Sequence, residues 1–179
     1  RHQQLDSGHF KFLRARASFV DAQTLRLNNG RTLTAKHFVI ATGSLPTPPP
    51  LPQLRDIGYL TSAHALSLTK LPRSLAVLGG GAIAVELAQL FARFDVKVTL
   101  IQRSDQILRD FDADAATELE KVLRREGITI YCRTQLTGAS RNNDKKTISF
   151  LCDGKPVQVE AEEILVALCR IPNTTRLEL

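Results

Sequence analysis

The chain reads as an α/β protein, and three observations predict it. Between Leu75 and Tyr131, short apolar runs alternate with segments carrying a helical stripe. A glycine turn, Gly79-Gly80-Gly81, joins the first run to the first stripe. On either side lie stretches of partial alternation punctuated by Asn-Gly and Asp-Gly turns. A β-α-β-α-β order implies a parallel sheet with right-handed crossovers, and the turn-rich stretches imply antiparallel meanders.

Residues 11 to 41 read as a small meander. Phe10 to Val20 alternates in part, Thr24 to Leu27 is a second run, and Asn28-Asn29-Gly30 is a hairpin turn. The apolar run Phe38-Val39-Ile40-Ala41 reads as a strand ending at Thr42-Gly43-Ser44. The following Leu45-Pro46-Thr-Pro48-Pro49-Pro50-Leu51-Pro52 predicts a stiff, extended linker unable to join a sheet ladder, hence a domain boundary. Thr61-Ser62-Ala-His64-Ala-Leu66 predicts a short capped helix.

The central unit starts at Arg73. A strand ends in Gly79-x-Gly81-x-x-Ala84, the G-x-G-x-x-G/A spacing in which the last small residue lets a helix press against its strand. From Ile83 the apolar positions fall at Leu87, Leu90, Phe91 and Phe94, one face of a helix that begins at the glycines. Its unpaired amides and positive dipole end would then face a pyrophosphate, with Gly79, Gly80, Gly81, Ala82 and Ile83 as the cradle. The bland alternative is a glycine turn that merely joins strand to helix. In this context the pattern predicts a Rossmann-like dinucleotide unit.

The second strand, Val96 to Ile101, would end in an acidic residue if the ribose 2′-hydroxyl of NAD were its target. Gln102-Arg103 stands there instead, with Arg109 six positions on. A carboxylate repels a 2′-phosphate and an arginine pairs with it, so the expected ligand is NADPH. The alternative is that both arginines are solvated loop residues. A second helix follows, with Asp110, Asp112, Asp114 and Glu118 near its start, Leu119, Val122 and Leu123 on its apolar face, and Gly127 as its cap. Ile128 to Tyr131 closes the unit. Residues 134 to 160, with turns at Asn142-Asn143-Asp144 and Asp153-Gly154, form the inserted meander, and Ile164 to Leu168 is a last buried strand.

Composition narrows the function classes. Of 179 residues 43% are hydrophobic and 23% charged, an ordinary globular balance. No segment has the length of a membrane span, and a soluble, cytoplasmic protein is expected. The net charge of +6 is scattered, aromatics are 6% and tryptophan is absent, which argues against a nucleic-acid surface. Cys132, Cys152 and Cys169 are odd in number and far apart, excluding a disulfide framework; three buried, inert thiols are expected, and no metal ligands are assigned. With no methionine and an opening Arg1-His2-Gln3, an internal piece of a longer protein is expected.

Four motifs in order carry a resemblance: Val39-Ile40-Ala41-Thr42-Gly43-Ser44-x-Pro46, Thr61-Ser62 with Ala65-Leu66, Gly79-x-Gly81-x-x-Ala84-Val85-Glu86, and Ala167-x-x-Arg170-x-Pro172-Asn173-Thr174. Together they resemble the flavin-dependent pyridine nucleotide–disulfide oxidoreductases, most of all the mercuric reductases, over nearly the whole chain. The resemblance implies residues 1 to 45 as the later part of an FAD-binding domain, with Ala41, Thr42 and Gly43 on the flavin. Residues 46 to 168 would be the NAD(P)H domain, and 169 to 179 the return to the first domain. It implies that Glu86 sits beside the nicotinamide and steers hydride transfer; a solvent-facing helix residue is the plain alternative. Arg103 and Arg109 match the arginine pair by which glutathione reductases hold the NADPH phosphate. The whole protein is expected to be a homodimer with FAD and NADPH, passing electrons through a cysteine pair to a small-molecule or metal-ion substrate such as Hg(II). Dihydrolipoamide dehydrogenase and glutathione reductase are alternatives, as is a non-catalytic NAD(P)-sensing domain.

Departures from the family pattern carry their own expectations. The family's first glycine motif and its redox cysteines would precede Arg1, and its dimerisation domain would follow Leu179. The chain alone is therefore expected to be colourless and inactive. Cys169 stands where the family has glycine, and Ala82 where glutathione reductases carry a tyrosine gate.

Overall fold

A computed structural model describes residues 10–179. The opening Arg1-His2-Gln3 lies outside them. The chain forms two compact units, one of residues 1–45 with 171–179, the other of residues 46–170.

In the first unit, β1 (Ala17–Asp21), β2 (Thr24–Leu27) and β3 (Thr32–Thr34) form an antiparallel meander in the order β1-β2-β3. The Asn28-Asn29-Gly30 turn makes the β2–β3 hairpin: Gly30 lies at φ +82° and its N–H donates to the Leu27 carbonyl at 3.0 Å. Phe19 and Phe38 meet edge to face at 5.1 Å. Two expectations fail here. Residues 10–16 carry no strand, and neither does the run from Phe38 to Ala41, where Val39 is 92% exposed. A strand needs a ladder neighbour, and among the described residues none pairs with this run.

The proline-rich segment also departs from its expectation. Leu45 and Pro46 belong to β4 (Ser44–Pro46), which does join a ladder, pairing with a second short strand near the end of the chain. Proline is tolerated at the end of an edge strand, where its missing N–H is not required. Pro52 then caps an unanticipated helix, α1 (Gln53–Ile57), whose Leu54 is fully buried. The expected short helix is α2 (Ser62–Ala65), with Thr61 as its cap: the Thr61 hydroxyl accepts from His64 N–H, and His64 Nδ1 accepts from Thr61 N–H.

The sheet of the larger unit is parallel, built from β5 (Ser74–Leu78), β6 (Lys97–Ile101), β7 (Thr129–Tyr131) and a later strand, β11 (Glu163–Val166), in the order β11-β5-β6-β7. The crossovers are α3 (Ala82–Ala92) and α4 (Ala113–Arg125). β8 (Thr134–Asn142), β9 (Lys145–Cys152) and β10 (Lys155–Ala161) form the antiparallel meander, and β12 (Arg170–Pro172) is the partner of β4.

Two apolar layers fill the larger unit. One joins Leu75, Val77, Val98 and Leu100 of the sheet to Ala84, Ala88 and Phe91 of α3 and Leu123 of α4. The other joins Ala76, Leu78, Ile101, Ile164 and Val166 to Ile148 and Phe150 of the meander and to Leu54. The meander thus covers the face opposite the helices. Each large aliphatic or aromatic side chain so removed from water contributes about 1.5–3 kcal/mol.

The buried face of α3 differs from the expected stripe. Ala84, Val85, Leu87, Ala88 and Phe91 are buried, whereas Ile83 and Leu90 are each 39% exposed and Phe94 is 57% exposed. Small residues face the sheet because the helix lies close to it, and the larger ones are displaced to the flank. The cysteine expectation fails in part. Cys132 and Cys152 are half-buried, but Cys169 is exposed.

Candidate functional site

The three glycines at the end of β5 have three different physical reasons. Gly79 lies at φ +117°, and its N–H donates to the Ile101 carbonyl at 2.9 Å. A Cβ there would strike the Ala167 carbonyl group, with its carbon at 2.9 Å, and the Leu168 Cα at 3.3 Å. Left-handed backbone and a close neighbouring strand both demand glycine. A Cβ on Gly80 would meet the Gln102 side chain at 2.9 Å. Gly81 is extended, caps α3 without any side-chain hydrogen bond, and would direct a Cβ into open space.

Gln102, at the end of β6, is buried and fully engaged. Its N–H donates to the Tyr131 carbonyl at 2.8 Å, its own carbonyl accepts from the Thr134 hydroxyl at 3.0 Å, and its side-chain oxygen accepts from Arg103 N–H at 3.2 Å. The residue that would address a ribose is instead folded under the glycine turn. The loop beyond it returns to that turn: Leu108 N–H donates to the Gly80 carbonyl at 2.7 Å, and Leu108 adopts φ +47°. Non-glycine residues enter this region at a cost, here imposed by the return of the chain.

These elements bound a cleft of about 970 Å³. Its lining includes Gly80, Gly81 and Ala82 from the turn and helix start, Arg103, Ser104 and Arg109 from the following loop, and Gln135, Leu136 and Cys169. A cleft this large lies at the upper end of ordinary ligand pockets. Among the described residues the Arg103 guanidinium makes no ion pair, while Arg109 Nε contacts the Asp110 carboxylate at 3.3 Å with both side chains exposed. A smaller cavity of about 250 Å³ shares Gly81, Ala82, Leu168 and Cys169 and adds Ile83, Val166, Ala167 and Arg170.

Of the residues singled out from sequence, Gly80, Gly81, Ala82, Arg103 and Arg109 share the larger cleft, Ile83 lies in the smaller cavity, and Gly79 shapes the turn behind both. Glu86 lines neither cavity. It is exposed, because the 100° step between helical neighbours points it away from buried Val85 and Leu87, so its carboxylate meets water rather than an apolar wall. Ala41, Thr42 and Gly43 lie in the other unit and are exposed; Asn173 holds them, its Nδ2 donating to the Thr42 carbonyl at 3.3 Å and its N–H to the Gly43 carbonyl at 2.9 Å. The cleft also contains Phe111, Gln135 and exposed Cys169, which sequence reasoning did not place there. Burial, aided by the charge of Glu120, pushes the Cys132 thiol up to about 11.

The sequence profile described as Pyridine nucleotide-disulphide oxidoreductase matches residues 2–178. The chain belongs to this family. Within it, the chain is 36% identical over 170 residues to a mercuric reductase of Staphylococcus aureus, covering 95% of this chain and 31% of that protein. It is 35% identical over 179 residues to a dihydrolipoyl dehydrogenase of Geobacillus stearothermophilus, covering 98% and 38%. Among solved structures it is similar to the HOCl-induced flavoprotein disulfide reductase RclA from Escherichia coli, with TM-score 0.82 and 28% identity over 98% of this chain and 40% of that one. The chain therefore spans about a third of the length of the relatives it matches. Family membership implies a pyridine nucleotide and FAD. The open face of Gly81 beside two arginines fits the former; for the latter, Gly43 at φ +76° opens onto space, as a close backbone approach requires. Among the described residues no helix is long and apolar enough to cross a membrane.

Proposed function

We propose that residues 46–168 form the NADPH-binding domain of a flavoprotein oxidoreductase, with residues 1–45 and 169–179 contributing to its FAD domain. The observation that carries this reading is the single cleft joining the open Gly81 face to Arg103 and Arg109. Gly81 and the first amides of α3 would hold the pyrophosphate, and Ala82 and Ile83 would flank it. Arg103 and Arg109 would fork onto the 2′-phosphate. Gln102 supports the choice of NADPH, since its amide is already committed to the loop backbone and carries no charge to repel a phosphate. Arg109 would exchange Asp110 for the ligand at little cost, because an exposed ion pair of this kind is worth about 0–1 kcal/mol.

The cofactors carry hydride and electron chemistry; the protein positions and polarises them. Ala41, Thr42 and Gly43 would touch the flavin, and Glu86, exposed on α3, would be free to approach the nicotinamide end. The whole protein would be a cytoplasmic homodimer delivering electrons through a cysteine pair to a substrate such as Hg(II). A dihydrolipoyl group is the second reading for the substrate, the mercuric reductase and dihydrolipoyl dehydrogenase relatives being 36% and 35% identical to the chain.

Calorimetric titration of the 179-residue chain with NADPH and with NADH tests the reading. NADPH is expected to bind at least tenfold more tightly; equal affinity would sink the assignment of the arginines.

A further inference from the structure

Phe111 is 61% exposed, yet its backbone is fixed on both sides. Its N–H donates to the Leu108 carbonyl at 2.8 Å, closing a turn, and one residue later Asp112 opens α4, with Ala116 N–H donating to the Asp112 carbonyl at 3.0 Å. The chain thus presents a large apolar ring to solvent from a rigid support. That ring borders the large cleft and is the one aromatic side chain lining it among the described residues. Arg103, Arg109 and Gln135 line the same cleft.

With the cleft taken as the dinucleotide site proposed above, each part of the ligand needs a partner. With the pyrophosphate at Gly81 and the ribose phosphate at the arginines, the part of the ligand still without a partner is its purine. A purine is a flat, apolar, polarisable surface that stacks on aromatic rings and between guanidinium planes. We propose that Phe111 is the stacking face for the adenine ring of the bound dinucleotide. It acts on affinity for the adenosine half and leaves the nicotinamide half untouched.

The chain contains no tryptophan, so Phe111→Trp makes a single indole reporter at this position. The probes are adenosine 2′,5′-bisphosphate, which carries the purine and the 2′-phosphate, and reduced nicotinamide mononucleotide, which has neither a purine nor a 2′-phosphate. Phe111→Ala and Phe111→Leu are expected to weaken the bisphosphate about tenfold, as loss of one base–aromatic stack does. Both should leave the mononucleotide unchanged and should melt like the parent, since the ring lies on the surface. Phe111→Trp should keep the parent affinity and show indole fluorescence quenched on saturation with the bisphosphate. Unchanged bisphosphate affinity in the alanine and leucine variants, or an unquenched indole at saturation, would overturn the stacking assignment while leaving the cleft as a nucleotide site. If the parent binds neither NADPH nor the bisphosphate, the reading of the cleft fails first and the adenine face with it.

Discussion

The backbone N–H of Leu108 donates to the carbonyl of Gly80 at 2.7 Å. This bond ties the loop bearing Arg103 and Arg109 to the turn bearing Gly81, so a ligand phosphate and a ligand pyrophosphate would meet one pre-formed surface. Leu108 reaches its partner by entering the left-handed region, which a leucine does not choose freely. Pre-organisation of this kind reduces the ordering cost of binding.

The glycines can be separated by substitution. Gly81→Val should leave the protein folded, losing about 1 kcal/mol at the helix cap, and should abolish the thermal shift given by NADPH. Gly79→Ala should instead lower the melting temperature without ligand, because left-handed strain alone costs about 1–3 kcal/mol and the new Cβ also meets Ala167. Thermal unfolding of both variants, with and without NADPH, makes the comparison; a Gly81→Val protein with the parental shift would contradict the pyrophosphate site.

Charge reversal at Arg103 should reverse nucleotide preference. A charge-assisted contact is worth about 1.5–3 kcal/mol, so Arg103→Glu should weaken NADPH by at least tenfold and favour NADH. Arg109→Glu should act in the same direction but less, since Asp110 already shares that guanidinium. Titration of each variant with both nucleotides checks the order.

The thiols should differ in reactivity. Exposed Cys169 borders the cleft, so a maleimide at neutral pH should label it first, and saturating NADPH should slow that labelling. Cys132, raised to about 11, should stay unlabelled in the folded protein. Its contribution to stability has a definite sign. Below the ordinary thiol value of 9.0 both folded and unfolded chains hold the proton; above it the unfolded chain releases it first, so stability falls between about pH 9 and pH 11. Cys132→Ser should flatten that part of the profile in urea titrations.

A half-buried ion pair links the meander to the sheet. Lys146 is 6% exposed, and its Nζ lies 2.7 Å from the Glu163 carboxylate. Glu163→Gln removes the charge that faces the Lys146 ammonium and, with the carboxylate side open to water, should cost about 1–2 kcal/mol, whereas the double variant Lys146→Met with Glu163→Gln should recover much of it. Denaturant midpoints of the single and double variants test this directly.

The order of elements was legible where the signal is local. The Asn28–Gly30, Asn142–Asp144 and Asp153-Gly154 turns each close the hairpin expected of them, because their residues tolerate positive φ. The strand–glycine–helix unit was legible for the same reason. The buried face of α3 was not, since a hydrophobicity pattern weights Ile83, Leu90 and Phe94 above the alanines that contact the sheet. Nor was α1, hidden in a proline-rich stretch although Pro52 has the φ of −54° that a helix start needs. Gly81 and the arginines stood out as candidates from residue type and spacing, and the fold places them on one cleft. Phe111 and Cys169 join the cleft lining only through the fold, which brings loops distant in sequence together.

The contrast between Gly79 and Gly81 also bears on inheritance. Position 79 is held by its own neighbours, so any descendant that keeps the sheet must keep glycine there. Position 81 is surrounded by open space, and only an occupant of that space would select against a side chain. A lineage that abandoned nucleotides would let position 81 drift while position 79 stayed fixed, leaving a dated trace of when the cleft last carried a ligand.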